Sequence, residues 1–398
     1  MTRALRAGAP VVLRNADIGS AGDSLWIEDG RIAPPSRNAF PIDLSGHAVL
    51  PGLINAHDHL QLNNVPRLPH DAPFASSYDW IDAMKAHRVT PGVQAAVGVP
   101  RMTRHWHGGL KNVLAGVTTV AHHDPLHVAH DDPGFPVDVV RRFGWSHSLG
   151  LGLPRGNEPP RYGPSVQESF VATTPNDPWI IHLAEGTDDV SRAELAELNA
   201  LGCLRSNTVV VHGTALSPND VDCIIAVGAS VVWCPSSNVE LFGRTLAPRS
   251  LANAGRLALG TDSRLTGSRD ILEELGVAAC HSDLLPTELL ELVTTNPARV
   301  LRLDDRGSLD ENKRADCVII RADKPRAEAL LETPRASIRG VIRGGAPVIA
   351  DPDFAEWFEY CGVETVAATL DGRPKLVARI IAHLDAARLE PGFSIDGC

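Results

Sequence analysis

Residues 49–60 read VLPGLINAHDHL, an apolar run that ends in His57, Asp58 and His59. Side chains alternate along a strand, so positions i and i+2 share a face. A strand over 49–56 whose geometry runs on through 59 sets both imidazoles side by side at its end. That is half of a metal site. His-x-His is common, and two solvated loop histidines are the plain alternative. What decides between them is the company the pair keeps further along the chain.

From about residue 51 to 305, short β-rich runs alternate with helix-periodic segments. The runs are AVLPGLINA, VTTVAHH, WSHSLGLG, a brief RYGPS, WIIHLAE, TVVVHG, SVVWCPSSN and RLALGTDS. Between several of them lie amphipathic stretches such as SRAELAELNALG and SPNDVDCIIAVG, which start on a capping Ser and stop at Gly. Eight strands alternating with helices predict an α/β chain whose 51–305 segment is a (β/α)8 TIM barrel. Residues 1–50 and 306–350 read as turn-rich strands, the two parts of one small β-sandwich domain. The tail, 351–398, holds one helical segment, PKLVARIIAHLDAARL.

Bulk properties narrow the function. The chain has 398 residues, 43% of them hydrophobic, and a net charge of −11 without long charge runs. That argues against nucleic acid or an anionic membrane as partner. No apolar run is long enough to span a bilayer. The N-terminus lacks the apolar stretch of a signal peptide, and the seven cysteines are scattered, without CxxC spacing. A cytoplasmic enzyme with reduced thiols is the expectation.

Active groups of such a barrel sit at the C-terminal ends of its strands. Strand one delivers His57 and His59, strand five His182 and Glu185, strand six His212, and strand eight Asp262. Each alone has an ordinary explanation: a buried core histidine, or a turn aspartate. Their joint occurrence at one rim, each behind an apolar run, makes the ordinary explanation improbable. Imidazoles with a carboxylate suit one Zn2+ per chain, with Fe2+ or another divalent ion as the alternative. Such an ion lowers the pKa of a water it holds from 15.7 toward roughly 7. Glu185, offset from His182, suits a carboxylate alternating between acid and base. His212 suits orienting the water or polarising the substrate.

The stretches AVLPGLINAHDHL, IIHLAEG, VVVHG, VVWCPSSNVEL, LGTDS and TTNPARVL…GSL…RADCVII, in this order, resemble the amidohydrolase superfamily in its cytosine-deaminase-like and chlorohydrolase-like branch. The resemblance spans nearly the whole chain. It implies a mononuclear site with His57, His59, His182 and Asp262 as ligands. It further implies Glu185 as proton shuttle and His212 as the group positioning water or substrate, with Asp262 counted beside them among the catalytic groups. The implied reaction is hydrolysis at a C–N bond of a ring or amidine-like carbon, usually deamination. Opening of a cyclic amide or imidazolone ring on the same scaffold is the alternative, and a metal-free structural relative a more distant one.

The chain departs from that pattern near strand four. Many relatives carry His-x-Pro there, and RYGPS puts Tyr162 in its place. No lysine is placed at strand four for carboxylation, which argues against a binuclear site. His123, Tyr162 and Arg264 are candidate substrate contacts, Arg264 as a bidentate grip on a carboxylate. A surface salt bridge for Arg264 and a loop-acid partner for His123 are the competing readings. The expected partner is a small heterocyclic substrate, and a homodimer is an allowed assembly.

Overall fold

A computed structural model of the chain describes residues 10–19, 22–153 and 161–396. Near the N-terminus, Val11–Arg14 (β1), Ser24–Glu28 (β2), Arg31–Ala33 (β3) and Phe40–Asp43 (β4) form a sheet in the order β3-β2-β1-β4. His47–Pro51 (β5) leaves it for a different sheet.

The next strands are Leu53–Asp58 (β6), Val117–His122 (β7), Asp138–Val139 (β8), Gly144–Ser148 (β9), Trp179–Leu183 (β10), Thr208–His212 (β11), Ser230–Trp233 (β12) and Leu257–Leu259 (β13). They make two parallel sheets that follow chain order, β6-β7-β8 and β9-β10-β11-β12-β13. β6, β7, β10, β11, β12 and β13 are buried along their whole length. This is why they read as unbroken apolar runs: parallel strands are covered on both faces. The connecting helices start and stop on local signals. Pro218–Val227 opens on a Ser217–Asp220 capping box and closes at Gly228 in the left-handed conformation. The two sheets also meet, since the Asp262 N–H donates to the His57 carbonyl at 3.1 Å. A Cβ on Gly260 would stand 2.6 Å from the His57 Cβ, so the approach requires glycine.

Two expectations are corrected here. Arg161–Ser165 is not a strand; Gly163 lies at φ +73 and Pro164 has no N–H to give a ladder. WSHS is the fourth parallel strand in chain order, and the third is the two-residue β8, too short to show a period. The tail is not one helix over 374–389 either: its first part is a strand, and only the 3-10 turn Arg379–Ile381 and the short helix Leu384–Ala387 are helical. Cys317–Arg321 (β14), Gly340–Arg343 (β15), Ala346–Ala350 (β16), Thr365–Leu370 (β17), Arg373–Ala378 (β18) and Phe393–Ile395 (β19) join β5 in the order β19-β17-β18-β16-β15-β14-β5. Leu370 pairs with Arg373 across Asp371 and Gly372, whose φ of 46 and 82 fit a two-residue hairpin turn. That Asp-Gly turn and the open edge of β16 override the helical periodicity. β5 pairs antiparallel with β14, Val49 opposite Ile319, so the two ends of the chain share a ladder.

The tail also reaches the barrel-like part. Buried Glu390 accepts from both Nη atoms of Arg264 at 2.8 Å, from His107 Nε2 at 2.9 Å, and from Arg335. No helix among the described residues is long and apolar enough to cross a membrane.

One buried acid makes stability depend on pH. Glu274, in the helix Ile271–Cys280, accepts from the Ser236 N–H at 2.9 Å, and burial pushes its carboxyl up to about 7. The native chain therefore keeps a proton that the unfolded chain releases near 4.5. This contribution is complete below the unfolded value and is lost as pH rises through about 7. The loss is on the order of 3 kcal/mol. In Glu274→Gln it is absent, so the melting temperature of the variant gains on that of the parent between pH 5 and pH 8. An equal gap at both pH values refutes the assignment.

Candidate active site

The ends of β6, β10, β11 and β13 converge, and the backbone there is bent to make them do so. His57 and His59 project to one face, with ring centroids 4.9 Å apart. Asp58, between them, points the other way, where its carboxylate accepts from Lys111 Nζ at 3.0 Å, Asn112 at 2.9 Å and Asn63 at 3.0 Å. His182, on β10, and Glu185, just past its end, are three residues apart and on a regular strand would face opposite sides. Ala184 at φ 54 turns the chain between them. His212 at φ 74 and Asp262 at φ 52 are likewise left-handed. Non-glycine residues in that region cost about 1–3 kcal/mol each and collect at functional sites.

Donor atoms of His57, His59 and His182 all lie within 4.8 Å of one another. His57 Nε2 and His182 Nε2 face each other at 3.2 Å, and His59 Nε2 is 3.8 Å from Asp262 Oδ1. Zinc–ligand bonds of about 2.0–2.2 Å set the donors of a tetrahedral shell roughly 3.3 Å apart, and the three histidines could hold a divalent ion, with Asp262 beside His59. The electrostatics agree. Burial drives the His57 and His182 imidazoles well below the usual histidine value, which keeps their lone pairs free. Burial opposes a charge on His59 too, yet Asp124, Asp262 and Asp58 outweigh it and raise His59 to about 9. Asp262 is held ionised in spite of its burial by His59 and His212 and by hydrogen bonds from Thr266 and Ser263.

Side chains behind the donors orient them. Asp124 Oδ2 takes the His59 Nδ1 proton at 2.8 Å, which aims Nε2 at the cluster. Ser237 and Thr266 donate to Asp262 Oδ2 at 2.9 and 2.8 Å. Asn238 Oδ1 meets His212 Nδ1 at 2.9 Å and leaves His212 Nε2 facing Glu185 Oε1 at 3.4 Å. Partners of this kind typically govern metal affinity by 10–100-fold. Asp124→Asn is expected to weaken metal binding by about that factor. Competition against a chromophoric chelator measures it, and unchanged affinity would remove Asp124 from this role.

Above the donors lies a cavity of about 570 Å³. His59, His147, His182, Glu185, His212 and Asp262 line its polar side, and Val65, Trp80, Met84, Val93 and Leu265 its apolar side. Tyr162 lines it as well and donates to Asp124 Oδ1 at 2.5 Å. Two expected substrate contacts are corrected. His123 does not line the cavity; it is buried behind it, 4.4 Å from the His182 ring, with Nε2 at 3.0 Å from the Ser146 carbonyl. Arg264 is turned away and committed to Glu390.

The sequence reading passed over His147, Asp124, Asp58 and Lys111. His147 was lost with the strand-four assignment. Lys111 did carry a signal, a lysine on the apolar face of GGLKNVL, and it is fully buried. Ser237 and Asn238 lay inside the quoted VVWCPSSNVEL stretch.

Three clustered histidines at the ends of parallel strands, with an aspartate, a glutamate and a fourth histidine nearby, could hold a divalent metal. Residues 126–367 match the model of the amidohydrolase family, and the chain belongs to that family. It is 26% identical over 368 residues to the 5-methylthioadenosine/S-adenosylhomocysteine deaminase of Pyrococcus furiosus, covering 80% of this chain and 86% of that protein. With the deaminase of the same name from Haloarcula marismortui it shares 25% over 328 residues, 71% and 75% of the two chains. Among solved structures, zinc-complexed atrazine chlorohydrolase from Arthrobacter aurescens TC1 superposes with a TM-score of 0.69 at 17% identity, over 88% of this chain and 100% of that one. Zinc-bound adenosine deaminase from Xanthomonas campestris gives 0.67 at 18%, over 89% and 97%. These two show a shared fold. Family and relatives together make the chain a hydrolase that acts on C–N bonds.

Proposed function

We propose that the protein is a zinc-dependent aminohydrolase that deaminates a small nitrogen heterocycle. The observation that carries this is the cluster of His57, His59 and His182, which we read with Asp262 as the donor set, Glu185 and His212 lying on its cavity side. When bound, the ion supplies charge to polarise substrate and activate water. The chain's own residues do the rest. Burial raises the Glu185 carboxyl, against the charge of His212, toward the range where an acid–base group works at neutral pH. Glu185 takes a proton from the attacking water and returns it to the departing nitrogen. The C–O bond forms, the C–N bond breaks and ammonia leaves. His212 Nε2, fixed by Asn238, steadies Glu185 and meets developing negative charge on the ring. The apolar wall from Val65 to Leu265 receives the substrate's apolar substituent and keeps bulk water out.

The curated relatives support a purine nucleoside or related ring as substrate class. The same reading takes β6–β13 as one closed eight-stranded barrel, residues 51–305, and takes 1–50 with 306–350 as one β domain. The β5–β14 ladder and the approach of β13 to β6 support it. Ammonia release from a panel of heterocycles by the zinc-loaded protein tests the proposal. Hydrolysis without ammonia would move the assignment to ring opening, and no turnover of any member would overturn it.

A further inference from the structure

A second group of histidines lies apart from the cavity just described. His105, in the helix Arg101–Leu114, His122, at the end of β7, and His130, in the turn Val128–Asp131, are all buried. One nitrogen from each lies within 4.8 Å of the other two. Their ring centroids are 4.8, 5.2 and 5.3 Å apart, and the rings stand at 78, 83 and 87° to one another. The three rings at the first site are spaced 4.9, 4.9 and 5.4 Å. Each cluster also contains one pair of nitrogens pointed at each other, His130 Nε2 and His105 Nδ1 at 3.0 Å here, His182 and His57 at 3.2 Å there.

We propose that His105, His122 and His130 form a second site for a borderline divalent cation such as Zn2+, weaker than the first. Burial supports it. His122 Nε2 is buried and has no partner among the described residues, and a dry imidazole nitrogen left unpaired is costly. His122 Nδ1 lies 3.3 Å from the Leu60 N–H nitrogen and 3.4 Å from the Asp58 carbonyl oxygen; the tautomer that donates to Asp58 leaves Nε2 as a lone pair and gives up the Leu60 contact. Desolvation holds all three rings neutral, with His105 at about 2, His130 at about 3 and His122 at about 4.

Two features set the affinity below that of the first site. Among the described residues no carboxylate belongs to this donor cluster, so three neutral ligands face a double charge and the fourth position falls to water or an outside ligand. His130 Nδ1 accepts from the His127 N–H at 3.3 Å, and coordination through Nε2 would place a proton on Nδ1 and give up that contact. Access is provided on the far side, where His130, Asp131 and Asp132 line a separate cavity of about 1320 Å³. A bound ion would clamp the helix and the 128–131 turn to the end of β7, one residue before His123.

The test is a Co2+ titration of metal-stripped protein followed by visible absorption and by equilibrium dialysis. The parent chain is expected to take up two equivalents, the second more weakly. His57→Ala/His59→Ala, which lacks the first site, is expected to take up one equivalent with the bands of a low-symmetry nitrogen-ligated ion. His105→Gln/His130→Gln is expected to saturate at one. Saturation of the parent at one equivalent, or no uptake by His57→Ala/His59→Ala, overturns the proposal. Neither readout requires turnover, so failure of the deaminase reading leaves the test intact.

Discussion

Glu185→Gln is expected to keep its metal and lose turnover, with kcat falling about 10²–10⁴-fold, equal to roughly 3–5 kcal/mol of barrier. Glutamine nearly matches the shape of glutamate but cannot take up and return a proton near neutral pH. Glu185 is outside the cluster of His57, His59 and His182, and its contact to His212 Nε2 is long at 3.4 Å. Substrate affinity should therefore change far less than kcat. The competing account makes Glu185 a structural carboxylate that steadies the end of β10. It predicts a lower melting temperature and weaker metal binding with a smaller loss of rate. Metal content, melting temperature and single-turnover rate, measured on one preparation, separate the two. Parental turnover in the variant would exclude Glu185 from the chemistry.

Removing the donors themselves has the larger consequence. After dialysis against a chelator of intermediate strength, the parent chain is expected to retain one tight equivalent of metal. His57→Ala/His59→Ala should retain none, and its turnover should be undetectable. Two of the proposed donors are gone, and Asp124 and Asp262 lose the His59 imidazole that stands between them. Repulsion between them should also lower the melting temperature of the variant. A tight equivalent surviving in the double variant would show that the ion is held elsewhere.

Much of this site could be read from local pattern. His57 and His59 share a face because strand alternation is a local rule, and buried parallel strands must be apolar from end to end. So the apolar runs and the polar residues closing them, His182, His212 and Asp262, stood out in the chain. The reach of Glu185 was not local, because it depends on Ala184 adopting a left-handed backbone that nothing in HLAEG demands. Lys111 carried a local signal as a lysine on the apolar face of its helix, but its partner Asp58 lies on a different element, which no local pattern names.

The tail and Arg264 mark the other limit. Residues 374–389 carry a helical period, yet β17 and β18 pair through Asp371–Gly372 because a neighbouring strand offers open hydrogen bonds. Arg264 follows Asp262 in sequence, which suggested the substrate; its partner Glu390 is 126 residues away. The sequence alone determined which residue types end which strands, since that follows from spacing of two and from apolar burial. Only the tertiary structure decided which of those groups face one another, because contacts between distant segments are settled by packing and charge neutralisation that no window of sequence contains.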